Sequence, residues 1–218
     1  VWVALAAALA AVAVWPSLQS LAQIWREVHD YQHGWLIAPI AIVWFGLVLR
    51  GPLPGAPRAS YAATMPLALA LAAWLVAYNA NSQMAHQLLA PWVLGLSVLA
   101  VSGPKVTRAF AAPIGFLYFA TPIWDYAVPV LQRLSVWATE SALALVGVPA
   151  VVSEYVVTIP EGTFRIIEGC SGKRYFMVTL AMAVLSAHVH GIRGWRYPVF
   201  VAGCGLLAMI ANYVRIFT

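Results

Sequence analysis

A bilayer core takes about 20 helical residues to cross, and apolar runs of that order recur along this chain. They fall at roughly 1–16, 34–50, 61–79, 88–103, 108–124, 172–189 and 195–214. Two breaks between them are sharp: Arg50-Gly51-Pro52-Leu53-Pro54-Gly55-Ala56-Pro57-Arg58 and Ser102-Gly103-Pro104-Lys105-Val106-Thr107-Arg108. Proline lacks the amide donor and glycine lacks a helical preference, so a helix stops at each. The pattern predicts an all-α polytopic membrane protein with about seven transmembrane helices. Composition excludes the soluble alternative: 63% of residues are hydrophobic and 9% charged, where soluble domains carry about a quarter charged residues. A barrel would show alternating segments of about ten residues, and the chain has none.

The chain starts at Val1 without an initiator Met and stops at Thr218 directly after a helical segment. Both ends read as truncations, with the first span clipped. Residues 1–15 lack the basic start and the small-residue cleavage site of a signal peptide. The two cysteines, Cys170 and Cys204, do not indicate a disulfide framework. No zinc spacing, phosphate loop or dinucleotide fingerprint occurs. No metal, cofactor or nucleic-acid partner is expected.

The stretch 125–168 breaks the rhythm. Residues 130–147 read as a helix interrupted by Gln132, Arg133, Glu140 and Ser141 and closed by Pro149. Residues 151–168 are rich in β-branched types around Pro160-Glu161-Gly162, which predicts a short β-hairpin. Open strand edges are not tolerated in lipid, so the hairpin belongs outside the hydrocarbon or inside protein.

Charge placement sets the orientation. With 130–147 interfacial or re-entrant rather than crossing, the loops 50–60, 103–108 and 190–196 share one side. They hold Arg50, Arg58, Lys105, Arg108, Arg193 and Arg196 and no acid; all seven acids fall on the other side. The positive-inside rule makes the basic side cytoplasmic.

In that topology Cys170 begins an inward span and Arg215 ends the outward span after it, so both stand at the outer face. The reactive form of a thiol is the thiolate, which helix N-termini and nearby cations favour. Cys170 precedes a helix, Lys173 and Arg174 supply charge, and Gly169 and Gly172 leave room for a substrate backbone. The oxyanion formed by thiolate attack on a carbonyl needs donors: the backbone amides of Cys170, Ser171 and Gly172, and the fork of Arg215. Arg215 cannot act as the base, because arginine keeps its proton. Each residue also has a plainer reading. A lone cysteine is most often a small buried hydrophobe, an arginine near a helix end most often snorkels to headgroups, and Asn212 can simply bond two helices. Cys204 reads as packing, and His188 and His190 as solvated turn residues.

Ile159-Pro160-Glu161-Gly162-Thr163-Phe164, then Glu168-Gly169-Cys170-Ser171-Gly172-Lys173-Arg174-Tyr175, then Ala211-Asn212-Tyr213-Val214-Arg215-Ile216 resemble the exosortase/archaeosortase family. Tyr31-Gln32-His33-Gly34-Trp35-Leu36 resembles that family's His-Gly segment, and Pro129-Val130-Leu131-Gln132 with Gly147-Val148-Pro149 its pre-hairpin helix. The likeness runs in order along nearly the whole chain, as one membrane-embedded domain over 1–218. It departs at Lys173, where an apolar residue is usual, and at Gln32, where Ser is usual. The family's further basic residue, a His in bacterial members, lies in a later C-terminal span that this sequence does not contain, which implies an inactive or severely impaired fragment.

The resemblance implies a thiol protease or transpeptidase of the bacterial inner membrane, with its active site at the periplasmic face. Its partners would be exported proteins bearing a C-terminal sorting signal (a Pro-Glu-Pro motif, a transmembrane helix and a basic tail), membrane lipids and exopolysaccharide machinery. Cys170 would form a thioester with the substrate, and Arg215 would position it or stabilise the oxyanion. His33, Ser171, Gly172, Arg174 and Asn212 would bind substrate or support the site, with His29 a lesser candidate. The rival class is a non-enzymatic transporter subunit or export scaffold, which would place ionisable residues at mid-span; the spans here hold almost none.

Overall fold

The computed structural model describes residues 1–160, 162–166 and 168–217. Glu161 and the side chains of Phe164 and Glu168, all within the expected motifs, lie outside the described residues. The chain forms two compact units, Val1–Ile123 and Trp124–Thr218.

The first unit is helical. Helix α1 (Trp2–Ala13) and α2 (Trp15–Glu27) meet at a 71° bend. Pro16, near the start of α2, removes an amide that α1 would need to continue. Ser17, fully buried, fixes the bend: its hydroxyl oxygen accepts from the Trp74 indole at 2.7 Å and lies 2.8 Å from His86 Nδ1. Helix α3 (Gly34–Arg50), α4 (Thr64–Asn79) and α5 (Gln83–Phe116) follow.

The helical run of α5 is folded back on itself. Gly103 takes φ 75 and ψ 170, a left-handed φ open chiefly to glycine. The Tyr118 hydroxyl then donates to the Leu88 carbonyl at 3.1 Å, and Val98, Val106, Phe110 and Ile114 share one core cluster with Val3. The break leaves carbonyls without helical donors. The proline-rich loop supplies them: Arg58 N–H donates to Ser102 O at 3.2 Å, and Ser60 N–H to Ala100 O at 2.8 Å. Those two bonds bring the loop bearing Arg50 and Arg58 to the break bearing Lys105 and Arg108.

In the second unit, helix α6 (Val128–Leu145) precedes strands β1 (Val151–Ser153), β2 (Val156–Ile159) and β3 (Gly162–Arg165), then α7 (Lys173–Val189) and α8 (Arg196–Phe217). The strands form an antiparallel sheet in the order β1-β2-β3. The expected hairpin thus has a third strand. Its extra turn at Glu154-Tyr155 carries no glycine, and Glu154 itself takes φ 53, so the turn gave no compositional signal. Leu131, Ser135, Val136 and Thr139 form the buried stripe of α6, and Val136 packs with Val157 and Ile166 of the sheet. Gly205 lets α7 and α8 close up, since a Cβ there would lie 3.0 Å from the Phe176 ring.

Four helical stretches among the described residues are long and apolar enough to cross a membrane: His29–Arg50, Tyr61–Asn79, Gln83–Ala120 and Arg196–Ile216. The α1–α2 pair makes five if it is one bent span. The protein is therefore a multi-pass, mostly helical membrane protein. The expected seven are not reproduced by this measure: α7 is 17 residues long, and the two expected spans within α5 form one continuous stretch by length.

Candidate active site at the Cys170 turn

Cys170 closes a short 3-10 turn, Glu168–Cys170, three residues before α7 starts. Ser171 is fully buried, and its Oγ accepts the Lys173 amide at 3.2 Å, a local turn that directs the chain into the helix. Gly172 follows with φ 76, and the first helical bond runs from the Phe176 amide to the Gly172 carbonyl at 2.9 Å. Cys170 itself is half-buried beside the Val136–Val157–Ile166 cluster, and its thiol is free of any disulfide.

Two elements hold this turn by its carbonyls. Asn212 on α8, 1% exposed, donates its Nδ2 to the Cys170 carbonyl at 3.0 Å, and Ser135 on α6 donates Oγ–H to the same oxygen at 3.3 Å. Arg215, three residues beyond Asn212 and so on the same helix face, donates to the Gly169 carbonyl at 3.1 Å. Its guanidinium lies 5.3 Å from the centroid of the Tyr175 ring and also interacts with the Tyr175 and Cys170 side chains. The two residues singled out from sequence spacing, Cys170 and Arg215, thus meet. The arrangement brings together a free thiol, an arginine fork and a carbonyl-anchored turn, groups of the kind that attack on an acyl carbon requires.

Several expectations change. Lys173, expected to supply charge beside the thiol, is buried and has its Nζ 2.9 Å from Asp125 Oδ1. That pair explains how a lysine stands where an apolar residue is usual, because a buried ammonium needs a counterion. Gly172 does not leave space for a substrate, because the Asn212 amide fills it; a Cβ there would come within 2.7 Å. At Gly169 nothing among the described residues lies within 4 Å of its Cβ position. Arg174 is exposed. His33 belongs to the first unit, where its Nε2 lies 2.8 Å from the Phe119 carbonyl and its ring stacks on Tyr31. His190 Nδ1 donates to the Ser186 carbonyl at 2.8 Å, and no cluster of three metal-ligating side chains occurs among the described residues.

The sequence reading missed Ser135 and Asp125. The signal was present: Ser135 is a small hydroxyl residue in register with Leu131 and Thr139 along one helix face, and Asp125 is an acid near the start of an apolar element. In the first unit, the cavity of about 400 Å³ between α1, α3 and α5 is lined by residues such as Ala7, Ala41, Phe45 and Ile114, with no polar side chain. That lining offers no polar group to carry chemistry.

No curated protein and no solved structure matches this chain. One family model does, described as Transmembrane exosortase (Exosortase_EpsH), over residues 25–218. With a match from the end of α2 through the Cys170 turn and Arg215, the chain belongs to the transmembrane exosortase family.

Proposed function

We propose that this chain is a membrane cysteine peptidase or transpeptidase that cuts the C-terminal sorting signal of exported proteins, with Cys170 as nucleophile. The observation that carries the reading is the convergence of Arg215 on Cys170 and Gly169, with Asn212 anchoring the next carbonyl, that of Cys170. Two side chains of one helix gripping consecutive carbonyls of a cysteine turn are more than a snorkelling arginine requires.

In the proposed reaction the Cys170 thiolate attacks the carbonyl carbon of the scissile amide. A C–S bond forms and the carbonyl electrons move onto oxygen. Arg215, already charged, stabilises that oxyanion or holds the substrate backbone, without exchanging a proton. Collapse breaks the C–N bond, the leaving nitrogen takes up a proton, and a thioester remains. A water or hydroxyl acceptor then attacks the thioester and returns the thiolate.

The topology proposed with it has seven crossings: α1, α3, α4, the two arms of α5, α7 and α8, with α6 and the sheet outside the hydrocarbon. Within the first unit Arg50, Arg58, Lys105 and Arg108 gather at one end, which the positive-inside rule assigns to the cytoplasm. Within the second, Arg193 and Arg196 lie at the α7–α8 turn and Cys170 and Arg215 at the far ends of those helices. The site would then face the periplasm.

The test is processing of a tagged substrate bearing Pro-Glu-Pro, a transmembrane helix and a basic tail. Replacing Cys170 with Ala is expected to lower the rate by about a thousandfold or more. Wild-type processing by Cys170→Ala ends the enzyme reading and leaves the scaffold class.

A further inference from the structure

Among the described residues the outer edge of β3 pairs with no other strand, and the Cys170 turn follows it closely in sequence. The Ile166 amide donates to the Tyr155 carbonyl at 2.8 Å, so Tyr155 and Ile166 face each other as a hydrogen-bonded pair. Hydrogen-bonded and non-bonded pairs alternate along an antiparallel ladder. With Val156 opposite Arg165 and Thr158 opposite Thr163, the N–H and C=O groups of Thr163 and Arg165 therefore point away from β2. The 3.1 Å approach of the Thr158 and Thr163 hydroxyls fits the closer, non-bonded pairing. No backbone partner for those outward groups lies among the described residues, and Gly162, Thr163 and Arg165 are exposed. Val157 and Ile166 face α6, so Thr163 and Arg165 project from the opposite face of the sheet. Cys170 packs against that same Val157–Ile166 cluster.

We propose that the substrate's recognition motif docks as a fourth strand on the outer edge of β3, with its Glu opposite Arg165. This rests on the peptidase reading above and adds how the substrate is held. An unpaired strand edge is a template for an extended peptide. A Pro-Glu-Pro segment suits one edge only. In an extended chain the N–H and C=O of one residue point to the same side, so the Glu presents a donor and an acceptor toward β3. The flanking prolines face away and have no N–H to offer there. The motif can pair with a sheet and cannot extend it. Directly opposite residues carry their side chains on the same face, which sets the Glu carboxylate beside the exposed Arg165 guanidinium, while β3 and the Cys170 turn lie in the same continuous chain.

The experiment uses the chain in its membrane with tagged substrates. Arg165→Glu is expected to lower kcat/KM for the Pro-Glu-Pro substrate by about fivefold, through KM, and to favour a Pro-Lys-Pro substrate over it. Arg165→Pro, which removes only an outward amide and is tolerated at an edge, is expected to lower both by about tenfold. Wild-type KM in both variants overturns the inference. Binding is read separately on a Cys170→Ala, Cys204→Ala background: Arg165→Cys should trap by disulfide a substrate with Cys in place of the motif's Glu, and not one with Cys at either proline. Equal trapping at all three, or none, overturns it too. Intact processing by Cys170→Ala beside position-specific trapping would sink the nucleophile assignment and spare the docking edge. Lost processing by Cys170→Ala with unaltered Arg165 variants would do the reverse.

Discussion

Gly172→Ala isolates the contact on which the cysteine turn depends. The new methyl meets the Asn212 amide at 2.7 Å, closer than Cβ atoms approach, and the Asn212 Cβ at 3.1 Å. The backbone is also held at φ 76, where an L side chain costs about 1–2 kcal/mol. Asn212 is buried on all sides, so its amide can yield only by giving up the bond to the Cys170 carbonyl, about 1 kcal/mol. The sum, about 2–3 kcal/mol, lowers the fraction of chains with a competent turn by about 30- to 150-fold. The assay is cleavage of the tagged sorting substrate in membrane vesicles, beside the thermal unfolding midpoint in detergent. Asn212→Ala alone should cost about 1 kcal/mol. The double variant should be no worse than Gly172→Ala, since the colliding amide is gone. Additive losses, or wild-type cleavage by Gly172→Ala, would refute the claim that Asn212 and Gly172 form one packed unit.

The Lys173–Asp125 pair should behave asymmetrically. Lys173 is 4% exposed and Asp125 40%, so Asp125→Ala, which leaves the buried ammonium without this carboxylate, should lower the unfolding midpoint more than Lys173→Leu does. Adding Lys173→Leu to Asp125→Ala should recover much of the loss. Gly103→Ala puts a Cβ 2.9 Å from the Arg58 carbonyl at φ 75; it should destabilise the chain by about 2 kcal/mol or more, seen as a lower midpoint with the Cys170 chemistry of surviving protein unchanged. A membrane-impermeant maleimide applied to intact cells should label Cys170 from outside and leave Cys204 unlabelled; the reverse pattern would overturn the proposed orientation.

What was legible in the sequence follows from physics that acts locally. Individual helices and breaks came through, though not the count of seven spans, because each depends on nearby composition: Gly103-Pro104 interrupts the α5 run, and the expected 34–50 coincides with α3. Cys170 and Arg215 came together from span geometry alone, because two adjacent antiparallel helices return a chain to its starting side. Contacts chosen by tertiary packing stayed hidden. Nothing near Gly172 says that Asn212, forty residues on, fills its missing side chain. Nothing near Lys173 names Asp125 as its counterion. The third strand escaped for a related reason: its turn uses Glu154 at positive φ, a conformation enforced by the sheet rather than by the residue.

The strap over the Gly103 break has a consequence for how the protein is made. The amides of Arg58 and Ser60 leave the ribosome some forty residues before the Ala100 and Ser102 carbonyls they will satisfy. Helices released into the bilayer in order of synthesis therefore bring the donor segment into place first. The second arm of α5 then turns against a loop already made, so the reversal is completed by earlier chain.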